Sequence, residues 1–230
     1  MQDFNITAIG GGGFTHATYP ELDDFCLSQA GSKRLRIGFI GTASNDDPLK
    51  IERFHARFAS KAAKLVHLPQ TLDAQGLSNH VQDLDMIYVG GGNTQAMVTR
   101  WRSTGWDRVL CDAAHRGIAI SGVSAGAVCW FDYFLFRPEN APIRPLRGLG
   151  LIKGGACPHY STETDRHAAL RDAVVDGSMP ETIAIDDGVA VSFRASGPVA
   201  ICAAEPDASA YRIHRAQNGT IREDPIDLRS

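Results

Sequence analysis

Short apolar runs alternate along the chain with longer stretches in which apolar residues recur every three or four positions. The runs 5–9, 35–40, 65–68 and 86–89 are four to six residues long and bounded by glycine or polar residues. That is the pattern of strands buried on both faces. A further run ends in the glycine-rich segment at 122–126. Between the runs, the spacing predicts helices over 20–30, 48–64, 94–104 and 106–116, and beyond them over 164–175. Pro48 follows Asn45-Asp46-Asp47, a good helix start. In that helix Ile51, Phe54, His55, Phe58 and Ala62 share one face, which makes His55 a packed core histidine. Strands alternating with helices predict an α/β fold, a mostly parallel sheet with helices on both faces.

Other stretches break the alternation. Residues 132–147 contain Pro138, Pro142 and Pro145 and read as an irregular loop, a candidate lid or pocket wall. Toward the C-terminus, 182–185 and 189–193 read as two strands returning on each other around Asp186-Asp187-Gly188, with two short strands near Val199 and Tyr211. That end is expected to be antiparallel, and the polar tail from Gln217 to be peripheral. At 230 residues the chain suffices for one large domain spanning 1–230.

Three glycine-rich stretches, 10–13, 90–92 and 122–126, each follow a predicted strand. In a parallel sheet the carboxyl ends of the strands collect on one edge, so all three should lie together. The first does not fit G-x-G-x-x-G, because Thr15 or His16 falls where the last glycine should be, and a dinucleotide site is disfavoured. Gly122-Val123-Ser124-Ala125-Gly126 fits G-x-S-x-G: a strand ends, a serine sits on a strained turn with its hydroxyl exposed, and a helix begins behind it. The Ala125 N–H at that helix start is an oxyanion donor, and Gly92 in the second stretch offers another. The glycine triplet can equally be a flexible helix entry. Asn93 or Thr94 supplies the helix cap, and Asn93 is also a substrate-binding candidate.

A serine hydroxyl needs a base within hydrogen-bond reach, itself held by a third group. Of the eight histidines, His159 stands in a segment framed by Gly154, Gly155 and Pro158, and the others fall in predicted helices or strands or in positions suited to surface and packing roles. The proposed set is Ser124 as nucleophile, His159 as base and Asp187 as its orienting carboxylate, with Asp186 as the alternative.

Gly90-Gly91-Gly92-Asn93-Thr94, Gly122-Val123-Ser124-Ala125-Gly126-Ala127, Pro158-His159-Tyr160 and Asp187-Gly188, in this order, resemble the peptidase S51 family, which includes aspartyl dipeptidase (peptidase E) and cyanophycinase. The resemblance runs from Ile6 to about Phe193. It implies a flavodoxin-like fold akin to class I glutamine amidotransferases, with serine replacing the cysteine nucleophile. By position it places the serine on Ser124, the histidine on His159 and the oxyanion amides on Gly92 and Ala125. Where peptidase E carries Glu before the glycine of the last motif, this chain has Asp187. The resemblance also implies an arginine for the substrate carboxylate, at Arg166 or Arg171, and hydrolysis of small peptides, Asp-X dipeptides among them, through an acyl-enzyme on Ser124.

Composition narrows the alternatives. A net charge of −3 with 21% charged residues gives no basic footprint for nucleic acid or an anionic membrane. No stretch approaches the roughly 18 apolar residues of a membrane span, and the first residues lack a signal-like pattern, so a cytoplasmic protein is expected. The five cysteines lack a C-x-x-C pair and no H-E-x-x-H occurs, so neither a metal nor another cofactor is expected. The expected partner is a small peptide, for a monomer or homodimer. Two other readings stay open: a serine amide hydrolase acting on a β-linked or non-peptidic amide, and a non-catalytic binding or regulatory module with an amidotransferase-like fold.

Overall fold

The computed structural model describes residues 3–31 and 34–228. In chain order its strands are β1 (Ile6–Ile9), β2 (Arg36–Ile40), β3 (Lys64–His67), β4 (Met86–Val89), β5 (Ala119–Val123), β6 (Phe131–Phe136), β7 (Arg144–Arg147), β8 (Ile152–Cys157), β9 (Thr182–Ile185), β10 (Val189–Arg194), β11 (Gly197–Ala203), β12 (Ala210–Arg215) and β13 (Ile221–Pro225). They form two sheets, of order β11-β10-β1-β5-β4-β2-β3 and β13-β12-β9-β8-β6-β7. In the first, β1, β5, β4, β2 and β3 pair in parallel, with β10 and β11 added antiparallel beside β1. The run β3-β2-β4-β5 has the order of a flavodoxin-like sheet.

Successive side chains on a strand face opposite ways, and the core divides accordingly. Ile37, Phe39, Met86 and Tyr88 face one layer, where they meet Leu22 and Cys26 of α1 (Pro20–Ala30) and Phe54 and Phe58 of α2 (Pro48–Phe58). Ile40, Ile87, Val89 and Ile120 face the other. There they meet α3 (Ala74–Val81) through Leu77 and Val81, α4 (Thr94–Thr104) through Trp101, and α5 (Trp106–His115) through Leu110. Phe131, Phe134 and Ile183 of the second sheet join this same cluster. The far face of that sheet is covered by α7 (Thr164–Val175), whose Leu170 and Val174 pack on Leu135 and Ala184; between lies the single turn α6 (Ala125–Val128).

The structure departs from the sequence reading in several places. Residues 132–147 are mostly strand: β6 and β7 form an antiparallel ladder, because Phe134, Leu135 and Phe136 are buried, and only 137–143 stays irregular. Pro145 lies on β7, an edge strand, the place in a sheet where proline is tolerated. The strands around Asp186-Asp187-Gly188 are not a hairpin: β9 belongs to the second sheet and β10 to the first, so this segment carries the chain between sheets. Within the polar tail, residues 221–225 are regular, forming β13 beside β12, yet peripheral as expected, an exposed edge strand. Helix α2 ends at Phe58, six residues early. Its His55 is exposed, while Phe54 and Phe58 are buried. Helix α3, absent from the reading, is capped by Asp73, whose carboxylate accepts from the Gly76 N–H at 2.7 Å.

Candidate active site

Strand β5 delivers Ser124 at its carboxyl end, where the backbone turns to φ 53°, ψ −112° before α6 begins. Such a conformation is disfavoured for any residue with a side chain and persists only when the surroundings fix it. Here the Ser124 N–H donates to Ile9 O of β1 at 2.9 Å, and its carbonyl accepts from Ala127 and Val128. The flanking glycines permit the packing. A Cβ on Gly122 would stand 2.2 Å from Gly126 O, and one on Gly126 2.2 Å from Val89 O. The elbow therefore lies flush against β4.

His159 follows β8 through Pro158 and also has positive φ, 54°. Its carbonyl accepts from the Glu163 N–H, and the next amide, Tyr160, donates to Ile185 O. The ring is thereby aimed so that Nε2 lies 2.8 Å from Ser124 Oγ and Nδ1 2.6 Å from Asp187 Oδ1. The other Asp187 oxygen accepts from the Thr162 hydroxyl at 2.7 Å. Burial alone would push the Asp187 carboxyl up, but the bonds from His159 and Thr162 outweigh it and hold the group below the usual carboxylate range. Asp186 turns elsewhere. It is buried, one of its oxygens accepts the Ser209 N–H at 3.0 Å, and desolvation pushes its carboxyl up.

The three glycine-rich stretches converge on this chain of bonds. Gly11 is bridged to Asp187, and a Cβ on it would fall 1.8 Å from Asp187 Oδ1 and 2.7 Å from His159 Nδ1. On the opposite side, a Cβ on Gly91 would be 3.2 Å from Ser124 Cβ, so the 90–92 loop crosses directly beside the serine. Gly92 has φ +149°, with Ala43 O occupying the place of any side chain. Among the described residues the N–H groups of Gly92 and Ala125 have no acceptor.

Two expected substrate contacts look different. Asn93 caps α4, its Oδ1 accepting from the Ala96 N–H at 2.9 Å while its own N–H donates to Ala43 O at 2.7 Å. Arg166 is buried, with Nε on Glu163 Oε2 at 2.8 Å and Nη1 on Leu135 O at 3.0 Å. A substrate carboxylate would have to displace these partners. Arg171 approaches Glu223 at 3.9 Å and is half exposed.

Three residues beside this chain of bonds are not marked out by the sequence. Thr162 holds the second Asp187 oxygen. The His16 ring lies 6.1 Å from that of His159. Lys50 Nζ donates to Gly91 O at 2.9 Å. Thr162 follows the Pro-His-Tyr motif closely enough to have been suspected, whereas a lysine on a helix and a histidine in a loop carry no local mark. Cys129 and Cys157 are buried as free thiols, and desolvation pushes Cys157 up to about 12, which leaves it inert.

Chemically, an alcohol bonded to an imidazole that is bonded in turn to a carboxylate, beside two unengaged amides, is an arrangement for attack on an acyl carbon. The peptidase family S51 model matches residues 6–199. An uncharacterized peptidase of Bacillus subtilis (strain 168), YgaJ, is 34% identical over 229 residues and 97% of each chain. A second uncharacterized peptidase, PM1590 of Pasteurella multocida (strain Pm70), is 28% identical over 158 residues, 64% of this chain and 76% of its own. Among solved structures, a peptidase from an acI-B1 actinobacterium superposes with a TM-score of 0.74 at 15% identity, over 100% of this chain and 96% of that one. A putative peptidase E from Listeria monocytogenes EGD-e gives 0.66 at 18%, over 88% and 100%. At these identities the two structures speak to the fold.

Proposed function

Because the chain belongs to peptidase family S51, and is on that ground a peptidase-type hydrolase, we propose that it cleaves small peptides as a serine enzyme, through an acyl-enzyme on Ser124. The observation that carries the reading is the continuous Ser124–His159–Asp187 chain of bonds, 2.8 and 2.6 Å long, on a strained strand-to-helix turn. In this mechanism His159 Nε2 takes the Ser124 proton as Oγ adds to the scissile carbonyl. Asp187 keeps Nδ1 protonated and stabilises the imidazolium. The amides of Gly92 and Ala125 hold the oxyanion, which collapses as His159 returns the proton to the leaving amine. Water activated by the same imidazole then releases the acyl group.

Asp-X dipeptides are one substrate class of this proposal. Of the two arginines expected to read the aspartate, Arg166 is bonded to Glu163 and the Leu135 carbonyl instead, and Arg171 lies 3.9 Å from Glu223. That observation favours a second reading, in which the same acyl chemistry serves a β-linked or non-peptidic amide. The proposal takes the enzyme as a cytoplasmic monomer or homodimer, and the net charge of −3 gives no electrostatic attraction to nucleic acid or an anionic membrane. No helix among the described residues is long and apolar enough to cross a membrane.

The experiment is labelling with a serine-reactive phosphonate, followed by a panel of Asp-X dipeptides, other dipeptides and β-linked amides. Labelling at Ser124 with Asp-X cleavage supports the first reading, and labelling with cleavage of β-linked amides alone supports the second. A folded protein that neither labels nor hydrolyses any of them overturns the serine mechanism and favours a non-catalytic module.

A further inference from the structure

Lys50 occupies a position that helix physics disfavours. It lies in the first turn of α2, just behind Pro48 and the Asp47 cap, where the helix dipole opposes a positive charge. It is also half-buried, and no carboxylate lies within ion-pair distance of it among the described residues. Desolvation accordingly lowers the ammonium below the usual lysine range. The bond it makes inside the protein is to a neutral acceptor, Gly91 O at 2.9 Å. That carbonyl belongs to the loop crossing beside Ser124.

A trans peptide unit points its C=O and N–H in opposite directions. Gly91 O and Gly92 N belong to one such unit, and no cis peptide bond occurs among the described residues. With the oxygen drawn toward Lys50, the Gly92 N–H is turned away from α2, to a side where no protein acceptor meets it among the described residues. Among the described residues no other hydrogen bond holds that unit. Glycine on both sides makes rotation of the plane easy, whereas the next unit is anchored by the Asn93 N–H on Ala43 O at 2.7 Å. An ammonium on the carbonyl also polarises the amide and strengthens its N–H as a donor.

We propose that Lys50 is a positioning residue for the oxyanion hole: its ammonium fixes the Gly91–Gly92 peptide so that the Gly92 N–H faces the acyl oxygen above Ser124. The proposal rests on the reading of Ser124 as the nucleophile. It gives the lysine a part in the transition state and none in ground-state binding of substrate.

The test compares wild type with Lys50→Met, which keeps the stem and removes the charge, and Lys50→Arg, which keeps both charge and donor. Against the best substrate of the panel, Lys50→Met is expected to lower kcat by about 10²–10³ with KM within roughly twofold, the effect of losing one oxyanion donor. Phosphonate labelling of Ser124 should slow by a similar factor, and Lys50→Arg should recover most of both rates. Thermal unfolding verifies that the variants fold, and Lys50→Leu, which likewise has no donor, replaces Lys50→Met should the latter not. Unchanged kcat and labelling in Lys50→Met overturns the proposal. So does a raised KM at unchanged kcat, which would make Lys50 a substrate contact. Wild-type protein that hydrolyses peptides without labelling at Ser124 overturns the serine reading itself, and the lysine proposal with it.

Discussion

Ser124 Oγ and His159 Nε2 meet at 2.8 Å although both residues hold positive φ, 53° and 54°. Each such conformation costs about 1–3 kcal/mol and persists where neighbours over-determine it. Both are over-determined here: Ser124 by bonds to Ile9, Ala127 and Val128, His159 by Pro158 before it and the Glu163 N–H on its carbonyl. The first prediction separates strain from chemistry. Ser124→Ala keeps the backbone cost and Ser124→Gly relieves it, while both remove the hydroxyl. Each should lower kcat by roughly 10⁶, but Ser124→Gly should be the more stable of the two by about 1 kcal/mol or more. Urea unfolding of the pair decides it; equal midpoints would mean the turn is not strained.

Gly11 supplies the second prediction. Its backbone is not in the left-handed region, so alanine is conformationally acceptable there, yet its Cβ would sit 1.8 Å from Asp187 Oδ1. The carboxylate has to leave His159, and kcat should fall toward the roughly 10⁴-fold loss seen when a triad acid is neutralised. Asp187→Asn, measured alongside, should give a similar loss. A Gly11→Ala enzyme within about twofold of wild-type kcat would show that the loop yields and the carboxylate does not.

These two positions also show what could be read from the chain and what could not. The elbow was legible because its constraint is local: Gly122 and Gly126 make room within five residues, and a strand-to-helix turn has its own pattern. The parallel strands β1 to β5 were legible as short apolar runs for the same reason. The second sheet was not, since only tertiary pairing decides that β9 joins β8 and β12 while β10 crosses to β1. Residues 131–136 carry a strand pattern that the nearby prolines obscured, and the neighbours that bury Phe134 lie far away in sequence. Gly11 next to Asp187, and Lys50 on Gly91, are contacts between distant segments, with no trace in the local sequence of either partner.

Arg166 yields the third prediction. Its guanidinium is buried on Glu163 Oε2 and Leu135 O, and Arg137 shares the same Glu163 carboxylate. Burial opposes the charge on Glu163, but the two arginines prevail and hold it below the usual carboxylate range. Arg166→Met removes its bonds to Glu163 and Leu135 O while Arg137 still pairs Glu163, so the fold should lose about 1.5–3 kcal/mol, the worth of charged hydrogen bonds. KM for Asp-X dipeptides should stay within about twofold in the folded variant. A tenfold or greater rise in KM, confined to substrates with an acidic first residue, would restore Arg166 as the carboxylate reader.

The fourth prediction concerns Asp23, which is wholly buried yet bonded to Arg57 Nε at 3.0 Å and to the Tyr88 hydroxyl at 3.2 Å. Desolvation is the largest influence and pushes the carboxyl from 3.8 up to about 6 against the pull of Arg57. Below about pH 4 the group is protonated whether the chain is folded or not, and it contributes nothing to the pH dependence. Between there and pH 6 the unfolded chain loses the proton first, so stability falls as pH rises, by about 1.4 kcal/mol per pH unit or ~3 kcal/mol in all. Above pH 6 both states are ionised and this contribution is flat. Carboxylates held low, such as Asp187 and Glu163, act with the opposite sign at lower pH, so the wild-type curve alone does not isolate Asp23. Subtracting the curve of Asp23→Asn does, because Arg57 keeps Asp24 as a partner at 2.6 Å in the variant. Urea unfolding at pH 4, 5, 6 and 7 should show wild type losing about 3 kcal/mol relative to Asp23→Asn across that range. A difference independent of pH would mean that Arg57 keeps Asp23 ionised throughout, and that the pair rather than desolvation governs this corner of the core.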